Sequence, residues 1–274
     1  MKSKNSIVLL ISLLVALIVL LSVVMIKMIN GSTFMLFSHQ VSKEKIVDKV
    51  YDNIMDIDIQ SKSANINIIE NSSSDIRVVV YSEQKRTNVK IKNNKLLIIS
   101  KTKKCRGICL NTKIDKIEIY IPFDYKNKVT INNDAGDIKI GKFDDLVLDI
   151  KTDAGDIDID SVKKANIKTD AGDIDINKVE SITITSDAGD IKIEAINKYL
   201  NLKLDAGNVK IDKLNITKNS RIETDAGDIK IGSINKIYVN AKTDVGDIKI
   251  KKNYRKSDIE LKIKTDVGDI KVKN

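Results

Sequence analysis

One corner constrains this chain more than any other feature: Asp-Ala/Val-Gly-Asp followed by an alternating Ile-x-Ile, with Asn in place of the second Asp in one copy. The eight copies begin at Asp134, Asp153, Asp170, Asp187, Asp205, Asp225, Asp244 and Asp266, so the period runs from 17 to 22 residues. Self-similarity at such a period marks a stacked array in which each unit buries its apolar face only against its neighbours. Upstream of each corner an apolar residue lies three before the Asp, as in Ile131, Ile150 and Ile167, and Thr usually lies directly before it. That alternation is the signal of a half-buried strand.

The inward parity is expected to run through Thr to the Ala or Val after the first Asp. It must then switch, because Ile138 and Ile140 and their counterparts have the opposite parity. Gly occupies the switch, where positive φ turns the chain while both flanking strands keep apolar side chains inward. A further apolar residue three after the second Ile (Phe143, Val162, Val179, Ile196, Leu214, Ile234) supplies another inward contact. A circuit of about 18 residues at ~3.3 Å each suits a narrow coil, whose turns stack ~4.8 Å apart with Ile on Ile, Thr on Thr and Asp on Asp. Aromatic residues are 4% of the chain and Trp is absent, so the core is aliphatic. The sole proline, Pro122, leaves almost every backbone donor free for strand pairing.

Ile7 to Ile26 is apolar except for Ser12 and Ser22. That length spans the ~30 Å hydrocarbon core of a bilayer and exceeds the apolar region of a cleaved signal peptide. We read it as an uncleaved transmembrane anchor. Lys2 and Lys4 precede it and orient the C-terminal region outward, although Lys27, Lys43 and Lys45 follow it. The expected organisation is an anchor over residues 1–29, a juxtamembrane stalk over 30–50, a β-rich N-terminal cap over 51–125 and the repeat array over 126–274.

The cap is expected to contain strands at Ile54 to Ile59, Ala64 to Ile69, Ile76 to Tyr81, Val89 to Lys92, Leu96 to Ser100 and Ile117 to Ile121, with Ser63 to Ile68 as a degenerate copy lacking Gly. Lys262, Lys264, Lys271 and Lys273 load the last strands with charge, a pattern that guards an open edge. The fold class is therefore all-β: a parallel β-solenoid of about eight rungs with an N-terminal cap, preceded by one transmembrane helix. The only histidine, His39, falls in the stalk and suggests no chemistry. Cys105 and Cys109 fit either a local disulfide or free thiols; zinc would need ligands the chain lacks.

Fifteen carboxylates at the corners would form two columns, and neighbours ~4.8 Å apart repel by roughly 0.9 kcal/mol even at water's dielectric. Three readings offset or use that repulsion. In the first, the Asp side chains accept backbone N–H bonds as in Asx turns while lysines neutralise them; the residue between the two Ile is Lys at 139, 192, 210, 230, 249 and 271. In the second, the array binds calcium. The intervening residue is Asp158 in the second copy and Asp175 in the third, so Asp156, Asp158, Asp173 and Asp175 make the candidate metal site. In the third, stacked acids cleave polysaccharide. Hydrolysis needs two carboxylates of unlike environment, whereas here they repeat evenly, so no catalytic residue is assigned.

The formal net charge of +9 favours an anionic partner, such as a cell-wall polymer or lipid headgroups. Nucleic acid is not expected as a partner, because the region is read as lying outside the cell and aromatic residues that could stack bases are only 4% of the chain.

With its anchor, the lead-in IEIYIPFDY and the recurrent TDAGDI corners, the chain resembles the bacterial domain-of-unknown-function family called "putative adhesins". The likeness runs from about Ile54 to Asn274. An apolar strand ending in Pro, here Ile117 to Pro122, precedes repeats whose Gly-Asp-Ile core matches Gly136 to Ile138. The resemblance implies a β-solenoid in the cell envelope, associated in some members with envelope-stress regulation, and no catalytic residues. The expected function is a membrane-anchored, non-enzymatic surface module that binds an envelope polymer or protein. The alternative is a calcium-binding solenoid acting on envelope polysaccharide.

Overall fold

The structure, a computed structural model, describes residues 41–42, 44–83, 87–101 and 114–273. The apolar run Ile7 to Ile26, His39, Cys105 and Cys109 lie outside them. Among the described residues no helix is long and apolar enough to cross a membrane. The nineteen strands of the described residues join one sheet, mostly parallel, folded into two walls around an aliphatic core.

The first wall holds the strands that enter a corner: β2 (Asp56–Ser61), β6 (Lys95–Ser100), β8 (Lys128–Ala135), β14 (Ser220–Ala226), β16 (Tyr238–Val245) and β18 (Glu260–Val267). The second wall holds those that leave it: β3 (Ala64–Asn71), β7 (Asp115–Pro122), β13 (Val209–Leu214), β15 (Ile229–Ile234), β17 (Ile248–Ile250) and β19 (Ile270–Val272). Four long strands, β9 (Ile138–Ala154), β10 (Ile157–Ala171), β11 (Ile174–Ala188) and β12 (Ile191–Ala206), run from the second wall round to the first. Between Val162 and Lys164 the register against β9 slips, and between Val179 and Ser181 it slips against β12. These slips mark the bend opposite the corner. The inward third contacts expected from the sequence are all buried there: Phe143, Val162, Val179, Ile196, Leu214 and Ile234.

Stacking is in phase. Ile157 pairs with Ile138 on one side and Ile174 on the other, and Thr169 with Thr152 and Ser186. The parity switch is also present, but one position earlier than expected. Thr152, Thr169 and Thr265 are buried, whereas the following Ala is exposed at 154, 171, 188, 206 and 226. A side chain inside so tight a corner would meet the opposite wall, so the residues from the first Asp to the second all stand outside the core.

Both ends depart from sequence order. β2 lies between β6 and β8, and β3 between β7 and β9, so the degenerate copy is an internal rung rather than part of a cap laid over the array. Its Lys62 occupies the place of the first Asp and sits 2.6 Å from Asp134. Asn65 occupies the place of the second Asp. The true cover is antiparallel: β4 (Ile76–Tyr81) on β7, β1 (Lys45–Tyr51) on β4, and β5 (Thr87–Lys92) on β6. Residues 45–50, expected to be stalk, thus belong to the sheet.

At the C-terminal end β18 inserts between β14 and β16, and β19 between β15 and β17. The eighth copy is therefore internal, and the seventh is outermost. This corrects the assignment of Lys262, Lys264, Lys271 and Lys273 as guards of the edge; the edge charges are those of β16 and β17. The inversion left traces in the sequence. The interval from Asp244 to Asp266 is the longest in the array, and the seventh copy carries Ala241 where the other copies place Ile or Leu. An outer rung has one neighbour to pack against and gains less from a large side chain.

The eight corner glycines have φ between +112° and +150°. At Gly172, with φ +128°, an added Cβ would also run into the carbonyl oxygen of Gly155 on the rung before. Gly172→Ala is therefore expected to destabilise the protein by about 3 kcal/mol or more. Thermal unfolding checks this, and an unchanged melting temperature would show that the corners are not held at this approach.

Candidate functional site

The corners build the most regular polar arrangement among the described residues. A backbone N–H follows each corner Gly, and across the stack these donors are taken in sequence by the side chains one rung away. Asn65 Oδ1 accepts from the Asp137 N–H at 3.0 Å, Asp156 Oδ1 from Asp173 at 3.0 Å, Asp173 Oδ1 from Asp190 at 2.8 Å, and Asp190 Oδ1 from Asn208 at 2.8 Å. Asn208 Oδ1 accepts from Asp228 at 3.1 Å, Asp228 Oδ1 from Asp269 at 3.0 Å, and Asp269 Oδ1 from Asp247 at 2.9 Å. Backbone amides therefore do satisfy this column of Asp, but between rungs and not within a local Asx turn. Asn208 serves because the position needs an oxygen acceptor and not a charge.

Inside the corner a second ladder runs through Thr. Thr243 Oγ1 donates to the carbonyls of Val245 (3.1 Å) and Gly268 (3.0 Å), and Thr265 Oγ1 is within 3.2 Å of both Gly227 and Val267 carbonyls. In the first copy Asn133 takes this role, with Nδ2 2.9 Å from the Ala64 and Ala135 carbonyls. These hydroxyls and the amide add to the bonding of the corner carbonyls, of which Val245 and Val267 also accept the N–H of Gly268 and Gly227.

Lysines border the carboxylates on the outer face. Lys192 lies 2.7 Å from Asp175, Lys230 3.0 Å from Asp228, Lys264 2.7 Å from Asp266, and Lys139 3.8 Å from Asp158. Asp228 is held below the usual carboxylate range, chiefly by the Asp269 N–H and then by Lys230. Asp144 is also lowered, first by the Ser161 hydroxyl at 2.6 Å and also by Lys178; Asp149 is lowered mainly by Lys128 at 2.8 Å. Sequence reasoning missed the Asp144–Ser161–Lys178 contacts because they join three different rungs near the bend, where no motif repeats.

The four residues of the candidate metal site fall on adjacent rungs, and Asp158 pairs in register with Asp175. Asp156 and Asp173 each spend one oxygen on a backbone amide of the next rung, and Asp158 and Asp175 each face a lysine. Among the described residues no group of three or more His, Cys, Asp and Glu side chains is arranged to hold a metal ion.

The model of the family described as Toastrack DUF4097 matches residues 54–274. The chain belongs to this family. The match begins where the resemblance in the sequence was placed and leaves β1 outside it. Among solved structures, a "putative adhesin" from Bacteroides fragilis NCTC 9343 is similar at 23% identity and TM-score 0.53, covering 85% of this chain and 99% of that one. A "putative lipid binding protein" from Parabacteroides distasonis ATCC 8503 is similar at 13% identity and TM-score 0.50, covering 85% and 99%. At such identities the likeness shows the fold. No protein of curated function matches the toastrack chain.

Two measurements follow from the ladder. Asp228→Ala leaves the Asp269 N–H without its acceptor and is expected to cost about 1 kcal/mol, whereas Asp228→Asn keeps the acceptor, as Asn208 does, and should cost less. Because Asp228 is lowered in the folded state, its stabilisation is complete above the unfolded value of about 3.9 and is lost as pH falls through the folded value. The melting temperature of the parent should thus drop at acid pH more than that of Asp228→Asn. Separately, replacing Asp156, Asp158, Asp173 and Asp175 together by Asn should leave the melting temperature unchanged or raised, with or without calcium. A rise of several degrees with calcium in the parent, absent from the variant, would instead make these four a cation site.

Proposed function

We propose that this toastrack protein is a single-pass, membrane-anchored module of a bacterial cell envelope, with residues 51–274 outside, and that it binds an anionic wall polymer and catalyses no reaction. The observation that carries the partner is a lysine ladder on the second wall. Lys192, Lys210, Lys230, Lys271 and Lys249 stand one above another in register, on β12, β13, β15, β19 and β17. Like charges directly opposed across strands are destabilising. Four of the five each have one carboxylate in reach, Asp175, Asp212, Asp228 and Asp247, while Lys271 in their midst has none among the described residues, so the relief is partial and leaves ammonium donors free on the outer face. A polyanion laid along the stack would complete that relief over its whole length, with the even spacing that a repeating polymer suits.

The non-enzymatic reading rests on the carboxylates. Every resolved shift among the described Asp residues runs downward, at Asp48, Asp144, Asp149 and Asp228. A glycosidic acid needs the opposite shift. The anchor is read from Ile7 to Ile26 alone, and the surface setting agrees with the adhesin name of the Bacteroides fragilis relative.

The test uses the full chain. On intact cells, added protease should degrade the toastrack region, and its survival would refute the outward orientation. In detergent, the protein should be retained on immobilised poly(glycerol phosphate) and released by salt, since exposed charges are screened over about 10 Å at 0.1 M. Replacing Lys210, Lys230, Lys249 and Lys271 by Gln should weaken retention at least tenfold while preserving the melting temperature. Equal retention of parent and variant would overturn the ladder as the binding surface.

A further inference from the structure

The outermost C-terminal rung is built like an internal one and has no strand on its far side among the described residues. Ile248 is 42% exposed, whereas its counterparts Ile229 and Ile270 are 0% exposed. Ala241, Thr243 and Ile250 are likewise half-exposed at positions buried in the rungs below. The backbone is open in the same place. Ile270 donates its N–H to Asp247 and Lys251 donates to Val272, so the bonds of β17 to β19 use alternate residues and turn the N–H and C=O of Ile248 and Ile250 outward. On β16 the outward residues are Val239, Ala241 and Thr243. Val239 alone is closed: Asn253 accepts from its N–H at 2.9 Å and donates to its carbonyl at 2.8 Å. One side chain thus imitates the next strand for one residue and stops, leaving an edge that continues round the corner from Ala241 to Ile250. At the other end of the array, by contrast, β6 and β7 are each covered by an antiparallel strand.

The charge on this edge selects its occupant. Lys242 and Lys249 are matched by Asp244 at 3.1 Å and Asp247 at 3.3 Å. Lys251 and Lys252 follow directly, with no carboxylate in salt-bridge reach among the described residues, and Arg255 and Lys256 lie beyond them. A second copy does not fit. Joined by the same edge, two copies would set these lysines against each other; joined head to tail, β16 would meet Lys90 and Lys92 of β5 on the first wall, and β17 would meet Lys45 and Lys49 of β1 on the second, where Asp48 is already bound to Lys45 and Arg77. Such charges on a sheet edge act against self-pairing.

We infer that the edge from Ala241 to Ile250 is a docking site for an extended, acidic segment of a partner protein, which adds as the next strand round the corner. Backbone bonds to Ala241, Thr243, Ile248 and Ile250 hold it, its alternate apolar residues cover Ile248 and Ile250, and its outward carboxylates meet Lys249, Lys251 and Lys252. The edge shares only Lys249 with the lysine ladder, and the inference stands whether or not the polymer reading does.

The test titrates the full-length protein in detergent with a fluorescent nonapeptide, Thr-Asp-Ala-Gly-Asp-Ile-Glu-Ile-Glu, and with its counterpart carrying Lys at every acidic position. The acidic peptide should bind by anisotropy and the lysine peptide at least tenfold more weakly. Ile250→Pro removes an outward N–H without touching the bonds to β19, so it should keep the protein folded, lower the melting temperature no more than Ile250→Ala does, and weaken binding at least tenfold relative to that variant. The double variant Lys251→Glu, Lys252→Glu should weaken it similarly with the backbone intact. No binding of the acidic peptide at about 1 mM, a ΔG° no better than about −4 kcal/mol, would overturn the inference. So would binding that survives both variants but is lost on neutralising Lys192, Lys210, Lys230 and Lys271, which would assign the peptide to the ladder. Self-association abolished by Ile250→Pro would equally overturn it, by making a second copy the occupant.

Discussion

The close approach of glycine to glycine across successive rungs is the constraint on which the rest depends. Each corner Gly holds positive φ, and its α-carbon lies against the carbonyl at the same place of the adjoining rung, that of another Gly or, for Gly136, of Ala64, with no room for a side chain between them. Two chains that turn a corner at this distance must turn it together. The second Asp of one rung then comes within reach of the next backbone N–H, the Thr hydroxyl within reach of the corner carbonyls, and the flanking Ile side chains fall into phase. A residue with a Cβ at one corner would push a rung out of register and cost several of these contacts at once.

The two columns of Asp differ in kind because of this geometry. The column after Gly is a bonding element whose side-chain oxygens replace the missing partners of the corner amides, which is why Asn65 and Asn208 substitute without interrupting it. The column before Ala has no such backbone partner, and at four copies it is met by lysine: Lys62 for Asp134, Lys203 for Asp205, Lys242 for Asp244, Lys264 for Asp266. Repetition of acids alone would have suggested one role for both. It is the different use of their oxygens that makes a structural ladder of one and a charged surface of the other.

Both ends of the array exchange the order of their last two rungs, and this bears on how the stack holds together. A solenoid wound in strict order can fray from its termini one coil at a time. Here the first rung is covered by the second, and the eighth copy lies beneath the seventh. The outermost coil at the C-terminal end is joined covalently at both of its ends to rungs underneath it. It cannot peel away as a free terminus, and a weakly packed outer rung with an open edge is tolerated for that reason.

Local sequence determined the elements of this protein. The parity of Ile and Thr, the switch at Gly and the spacing of the copies specify strand, corner and strand, because alternation and positive φ are properties of a few adjacent residues; the in-phase pairing of Ile157 with Ile138 and Ile174 follows from repetition itself. Tertiary structure decided what adjacency cannot encode. It placed the Ala of each corner outside, chose inter-rung acceptors over local turns, put β18 and β19 inside and β16 and β17 at the edge, and brought Lys192, Lys210, Lys230, Lys271 and Lys249 into one file. Equivalent rungs present nearly the same pairing edge, so their order is settled by the length of the links and by which rung gains most from two neighbours. The eighth copy, with Ile263 and Ile270, gains more than the seventh, with Ala241, and it takes the inner place.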